Sequence, residues 1–207
     1  MTISALLADQ LRGKQLLIFD FDGTVADTSP LHARAFAEVL SPLGVAVEYE
    51  RIAGLSTADA MRQCLAVAGL ILEEETLARL VADKQSVVRD MIRQGLQPLP
   101  GMDDLLRWAR PRYRLAMVTS GSRGTVNLSL AALGYEGWFD PLLCAEDVAV
   151  AKPSPEGFLQ ACALAGCEAD EALVFEDSSA GLQAAEAAGL QCVDVSKSLH
   201  LNSVDGD

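Results

Sequence analysis

Short, uniformly apolar runs recur along the chain at 16–19, 115–118, 142–144, 173–175 and 192–195. Each is too short for a surface helix and lacks the alternation of a half-exposed strand, so each predicts a strand buried on both faces. Stretches with helical spacing lie between them, at 124–133, 155–165 and 179–188. Gly166 and Gly189 stand near the ends of the last two, where a glycine commonly closes a helix. Strand and helix alternating over this length predict an α/β domain with a doubly wound, Rossmann-like parallel sheet.

The alternation breaks once. Residues 30–94 show helical patterns only, at 31–40, 51–68 and 73–93, and 96–101, with Pro98 and Pro100, then reads as an extended return. An all-helical insertion just after the first strand predicts a cap domain over the carboxyl edge of the sheet, where such sheets bind ligands. The expected division is a core of residues 1–29 and 96–207 and a helical cap of residues 30–95. The polar end, 196–207, is expected to fray.

Composition narrows the partner class. The 207 residues suit one domain with a modest insertion, and with half of them apolar the chain can bury a sizeable core. Sixteen basic against 29 acidic residues give a net charge of −13. That sign argues against nucleic acid, whose phosphates need a basic surface, and against an anionic membrane. No run approaches the roughly 20 apolar residues of a membrane helix. The first fifteen residues lack the basic-then-apolar order of a signal peptide. Cys64, Cys144, Cys162, Cys167 and Cys192 are odd in number, scattered and free of any C-x-x-C pair. They predict neither a disulfide framework nor a zinc site, but small buried side chains in a reducing cytoplasm. A cytoplasmic monomer or weak homodimer is expected.

Four places carry candidate chemistry, each where an apolar strand ends. The first strand runs into Asp20 and Asp22, two residues apart and so on one side of an extended chain, and Gly23 then allows a sharp turn. Paired carboxylates at a strand end are costly without positive charge nearby, and Mg²⁺ answers that need with oxygen coordination and open positions for a phosphate. The second strand leads into Thr119, Ser120, Gly121 and Ser122, whose hydroxyls and backbone N–H groups can hold phosphate oxygens. Lys152, flanked by Pro153 and Pro155, offers an ammonium from a stiff loop. Glu176 and Asp177 follow a further strand; being adjacent, they reach one ion only if the chain is already turning there. Each signal alone has an ordinary reading as an Asx-turn, a helix cap or a solvated lysine. Their common placement along one sheet edge does not.

DFDGTVADT (20–28), VTSGS (118–122), KPSP (152–155) and FEDSSAGLQAAEAAG (175–189) resemble the four motifs of the haloacid dehalogenase superfamily. The likeness is greatest to its β-phosphoglucomutase-like and sugar-phosphatase branch, and it covers nearly the whole chain in order. The resemblance implies that Asp20 is a nucleophile forming an aspartyl-phosphate, and that Asp22 is the general acid and then the base. It implies that a side-chain oxygen of Asp20, the backbone carbonyl of Asp22 and the carboxylate of Asp177 bind Mg²⁺, with Glu176 a further ligand. Lys152 would stabilise the nucleophile and the phosphoryl oxygens. The phosphate-binding hydroxyl is Thr119 or Ser120, one position apart, with a lean to Ser120, and Gly121 lies in the same loop. His32 matches a histidine of sugar-phosphate mutases and related phosphatases.

The second acid, Asp22, speaks against the dehalogenase activity, which works without metal. Where the mutase pattern has a cap arginine this chain reads Gly54-Leu55-Ser56-Thr57, which favours a hydrolase because threonine cannot clamp a second phosphate. Lys84 and Arg89 are possible substrate contacts, with solvated helix charges as the ordinary reading. The function expected is a Mg²⁺-dependent phosphatase acting on a small phosphorylated metabolite, a sugar or polyol phosphate. The alternatives are a phosphosugar mutase and a non-catalytic regulator that binds a phosphorylated ligand.

Overall fold

The computed structural model describes residues 5–198. Five strands, β1 (Leu16–Phe19), β2 (Arg114–Val118), β3 (Leu142–Leu143), β4 (Ala172–Glu176) and β5 (Gln191–Asp194), form one parallel sheet in the order β3-β2-β1-β4-β5. Phe19 pairs with Met117 on β2 and with Phe175 on β4, so the residues that leave these three strands emerge at one level. The strand order reverses beside β1, and the crevice of a doubly wound sheet opens at that point.

The apolar runs are continuous because both faces are covered. Leu17, Phe19, Leu115, Met117, Leu173 and Phe175 point into one cluster, and Leu16, Ile18, Ala116, Val118, Ala172 and Val174 into the other. α5 (Met102–Ala109) and α6 (Arg123–Leu133) cover the first face; α7 (Glu156–Ala165) and α8 (Ser179–Ala187) cover the second. The Phe19 and Phe175 rings stack 4.6 Å apart directly beneath the strand ends, which stiffens the floor of the crevice. Two short helices, α1 (Ala5–Gln10) and α9 (Val195–Ser198), complete this part. Of the tail expected to fray, 199–207 lies outside the described residues.

Between β1 and β2 the chain builds α2 (Ser29–Leu40), α3 (Thr57–Val67) and α4 (Glu74–Gln94), with no strand among residues 30–94. These helices share a cluster of their own, centred on Phe36, Leu40, Met61, Leu65 and Leu77. α4 serves both regions: Leu77, Leu80 and Val81 pack in that cluster, whereas Val88 and Ile92 pack on the first face of the sheet. The single helix expected over 51–68 is broken. Tyr49–Arg51 is a short 3₁₀ turn, Gly54 adopts φ +81°, and Ser56 starts α3 afresh by accepting a 3.1 Å hydrogen bond from Asp59 N. The return past α4 is extended, with Pro98 bridged antiparallel to Ala26 and Leu99 N donating to Val25 O. α5 escaped the pattern because its apolar period lasts only eight residues. No described helix is long and apolar enough to cross a membrane. All five cysteines are free, three of them buried.

Candidate active site

The site grows from the last residues of β1, β2 and β4. Asp20, just past β1, is buried, and its Oδ1 accepts a 2.7 Å hydrogen bond from Lys152 Nζ. The same ammonium donates to Val118 O (2.9 Å) and to Glu176 Oε1 (2.6 Å). Three residues separated by up to 156 positions thus meet on one nitrogen whose three protons are all spent. Flanked by two carboxylates, Lys152 keeps its proton: burial lowers it, but Asp20 and Glu176 raise it further, to well above its ordinary value.

Glu176 is the final residue of β4, fully buried. Its other oxygen, Oε2, accepts from Asp177 N, Ser178 N and Ser178 Oγ at 2.7–3.0 Å, so the carboxylate folds the chain back on itself. That turn solves the adjacency problem of two successive acids. One oxygen each of Asp20, Glu176 and Asp177 lies within 4.8 Å of the others. Thr24 Oγ1 donates to Asp177 Oδ1 (2.9 Å), and Gly23, at φ +84°, lies so close that a Cβ there would stand 2.2 Å from Asp177 Oδ2. Only glycine fits that approach.

The charges do not balance. Three clustered carboxylates face one ammonium. Burial raises the Asp20 carboxyl well above the usual range; Lys152 opposes this, and Glu176, Asp177 and Asp22 add to it. Asp177 is pushed up to about 6, first by burial and then by Glu176. Oxygen donors with a deficit of positive charge fit a hard divalent cation such as Mg²⁺, which would hold Asp20 and Asp177 in their ionised forms.

Asp22 sits one side chain further on. Burial alone would raise its carboxyl, yet the adjacent His32 ring, the Thr28 hydroxyl (2.7 Å) and the charge of Lys84 together hold it well below the usual range. His32 Nε2 stands 3.2 Å from Asp22 Oδ1, without an aligned hydrogen bond. On the far side of the ring, Lys84 Nζ lies 2.7 Å from His32 Nδ1. With the ammonium donating there, the ring hydrogen belongs on Nε2, facing Asp22.

These groups line a cavity of about 30 Å³, room for about two waters, between the strand ends and the helical segment. All residues expected to bear on the phosphate reach this edge of the sheet: Thr119, Ser120 and Gly121 line the cavity beside Asp20, Asp22 and His32, and Lys152, Glu176 and Asp177 stand beneath Asp20. Thr119 is buried; its Oγ1 accepts from Gly121 N. Ser120 Oγ donates to Gly54 O instead (2.7 Å). Lys84 corrects its reading as a solvated helix charge. It is 2% exposed, with its ammonium 4.4 Å above the Phe36 ring. Arg89 is half-buried and outside the cavity.

Tyr49 lines the cavity although no motif marked it, and Gly54, Leu55 and Thr57, from the stretch set against the mutase arginine, line it too. Lys84 was findable, since Leu77, Lys84, Val88 and Met91 fall on one stripe of α4 at helical spacing.

Comparison with known proteins agrees with this architecture. The profile of the haloacid dehalogenase-like hydrolases matches residues 17–195. A fructose-1-phosphate phosphatase of Escherichia coli is 34% identical over 179 residues, 86% of this chain and 95% of that protein. A validoxylamine A 7'-phosphate phosphatase of Streptomyces hygroscopicus is 31% identical, covering 86% of this chain and 84% of the relative. Among solved structures, a β-phosphoglucomutase from Clostridium difficile superposes with a TM-score of 0.80 over 86% of this chain and 83% of its own. At 24% identity that likeness concerns the fold.

Proposed function

This chain belongs to the haloacid dehalogenase-like hydrolases, and we propose that it is a Mg²⁺-dependent phosphatase of a small phosphorylated sugar or polyol, working through an aspartyl-phosphate. Two relatives at 34% and 31% identity are named as a fructose-1-phosphate phosphatase and a validoxylamine A 7'-phosphate phosphatase, and the first of these supports the substrate class. The observation that carries the chemistry is Lys152 Nζ bonded at once to Asp20 and Glu176, with Asp177 within reach of both.

The ion would be held by Asp20 and Asp177 side-chain oxygens and the Asp22 backbone carbonyl, with Glu176 Oε1 as a further donor shared with Lys152. When bound it would supply positive charge that ionises Asp20 and neutralises phosphate oxygens. The Asp20 carboxylate oxygen attacks phosphorus as the bond to the sugar oxygen breaks, and the leaving oxygen takes its proton from Asp22. Water then attacks the aspartyl-phosphate, giving its proton to Asp22, and orthophosphate leaves with Asp20 regenerated. Asp22 is ionised in the resting site, ready for the second half. The negative charge of an arriving phosphate ester raises its carboxyl and lets it carry the proton needed in the first. Lys152 holds the nucleophile and meets the developing charge on the phosphoryl oxygens. Thr119, buried on the Asp20 side, is the better-placed phosphate hydroxyl, because the Ser120 hydroxyl is already taken by Gly54.

Residues 30–95 act as the cap, which excludes water and selects the leaving group. Thr57 on the cavity wall leaves that side without an arginine for a second phosphate, which favours hydrolysis over mutase chemistry. The test is orthophosphate release from a panel of phosphorylated sugars and polyols. Turnover should appear with Mg²⁺ and fall at least 100-fold with a chelator. Chelator-insensitive turnover removes the metal, isomerisation that depends on an added bisphosphate makes the chain a mutase, and binding without turnover makes it a regulator.

A further inference from the structure

We propose that Ser120 is a positioning residue, the latch that holds the cap loop shut over the site; this rests on the phosphatase reading above. Ser120 follows β2, and its hydroxyl donates to the carbonyl of Gly54, 66 residues away in the loop before α3. That carbonyl is presented downward because Gly54 adopts φ +81°, a conformation other residues rarely take. The loop is seated as well as tied. A Cβ at Gly54 would stand 2.2 Å from Ser178 Oγ, so the glycine rests directly on the turn after β4. Ser178 in turn is fixed, its N–H and hydroxyl on Glu176 Oε2 (2.7 and 3.0 Å) and its oxygen accepting from Gly181 N (3.0 Å). One loop of the helical segment therefore contacts the ends of two strands at once, one of them through the carboxylate that holds Lys152.

The cavity beneath this loop admits about two waters, far less than a phosphorylated sugar. Substrate entry and product release both require the loop to lift, and the Ser120 hydrogen bond is the polar contact that must break. Thr119 and Ser120 thus divide the work that the sequence left between them. Were Gly121 to carry a Cβ, it would lie 3.3 Å from Thr119 Oγ1 and 3.5 Å from Asp22 Oδ2, so the threonine oxygen faces the same space as the acid. Ser120 faces the cap.

A hydrogen bond between neutral partners shifts an equilibrium by about fivefold. In Ser120→Ala, backbone amides of 52–56 should therefore exchange with deuterium about fivefold faster in the free protein. With a phosphorylated sugar, KM should fall up to about fivefold while kcat stays within about twofold, because the latched site excludes substrate and the variant spends more of its time open. Thr119→Ala should do the reverse, lowering kcat with loop exchange unchanged. Unchanged loop exchange in Ser120→Ala overturns the latch, and so does a kcat loss of tenfold or more, which would put the hydroxyl on the phosphoryl group. If the wild-type protein turns over no phosphate ester, the functional reading fails, and the exchange measurement still decides the latch.

Discussion

The two walls of the cavity are built by opposite rules. The sheet wall carries four acids, Asp20, Asp22, Glu176 and Asp177, against Lys152. The helical wall shows the cavity His32, Lys84 and the apolar surface of Phe36, Tyr49 and Leu55, with no carboxylate among its lining residues. Position is fixed differently too. Ladder pairing sets the level of Asp20 and Glu176 to within a residue. Across the cavity the helical wall meets the sheet wall through single contacts, His32 on Asp22 and Ser120 on Gly54, while the far end of α4 anchors it on the sheet face through Val88 and Ile92. In the proposed mechanism, chemistry that needs sub-ångström placement sits on the rigid wall, and admission and selection fall to the wall that can move without breaking a ladder.

If that division holds, damage should scale with the wall that is touched. Asp20→Asn strikes the proposed nucleophile and should lower kcat by about 10⁴-fold or more, with circular dichroism unchanged; retention of a tenth of the activity would remove Asp20 from that role. Asp22→Asn comes next. It should lower kcat/KM, which reports the first transfer, by about 10²–10⁴-fold for a sugar phosphate, whose leaving oxygen needs a proton, but by under about tenfold for 4-nitrophenyl phosphate, whose leaving group does not. Equal losses of kcat/KM for the two esters would show that Asp22 does not protonate the leaving oxygen.

The walls also differed in how readable they were. Strands β1, β2 and β4 could be placed within a residue or so because burial on both faces leaves a local apolar signature, and each delivers its acid or hydroxyl as the next residue along. Gly54 and Tyr49 carry no such signature. They reach the cavity because of how the helical segment docks, and that depends on contacts such as Ser120–Gly54 across 66 residues. The one-position ambiguity between Thr119 and Ser120 has the same origin: both hydroxyls suit a phosphate, and only the docked loop distinguishes them. The break at 52–56 was hidden because a glycine inside a helical pattern is tolerated until tertiary packing needs its positive φ.

Lys84 gives the smallest effect and the finest test, since it belongs to the helical wall yet acts on Asp22 of the sheet wall through His32. Burial lowers its ammonium to about 8, and the charge of Asp22 only partly restores it. Above that pH the ring loses its charged donor on Nδ1 and Asp22 loses a nearby positive charge, so kcat/KM should decline as pH rises through about 8. Stability moves the other way. The unfolded chain holds the lysine proton up to about 10.5, so between 8 and 10.5 it binds more protons than the folded chain, and folding becomes more favourable as pH rises there. Below 8 both states are charged and the cost of burying the ammonium is present in full. Lys84→Met should lower kcat/KM about tenfold at pH 7 and abolish both trends. A pH–activity limb near 8 that survives in Lys84→Met would assign that limb to another group and leave the helical wall without an electrostatic hold on Asp22.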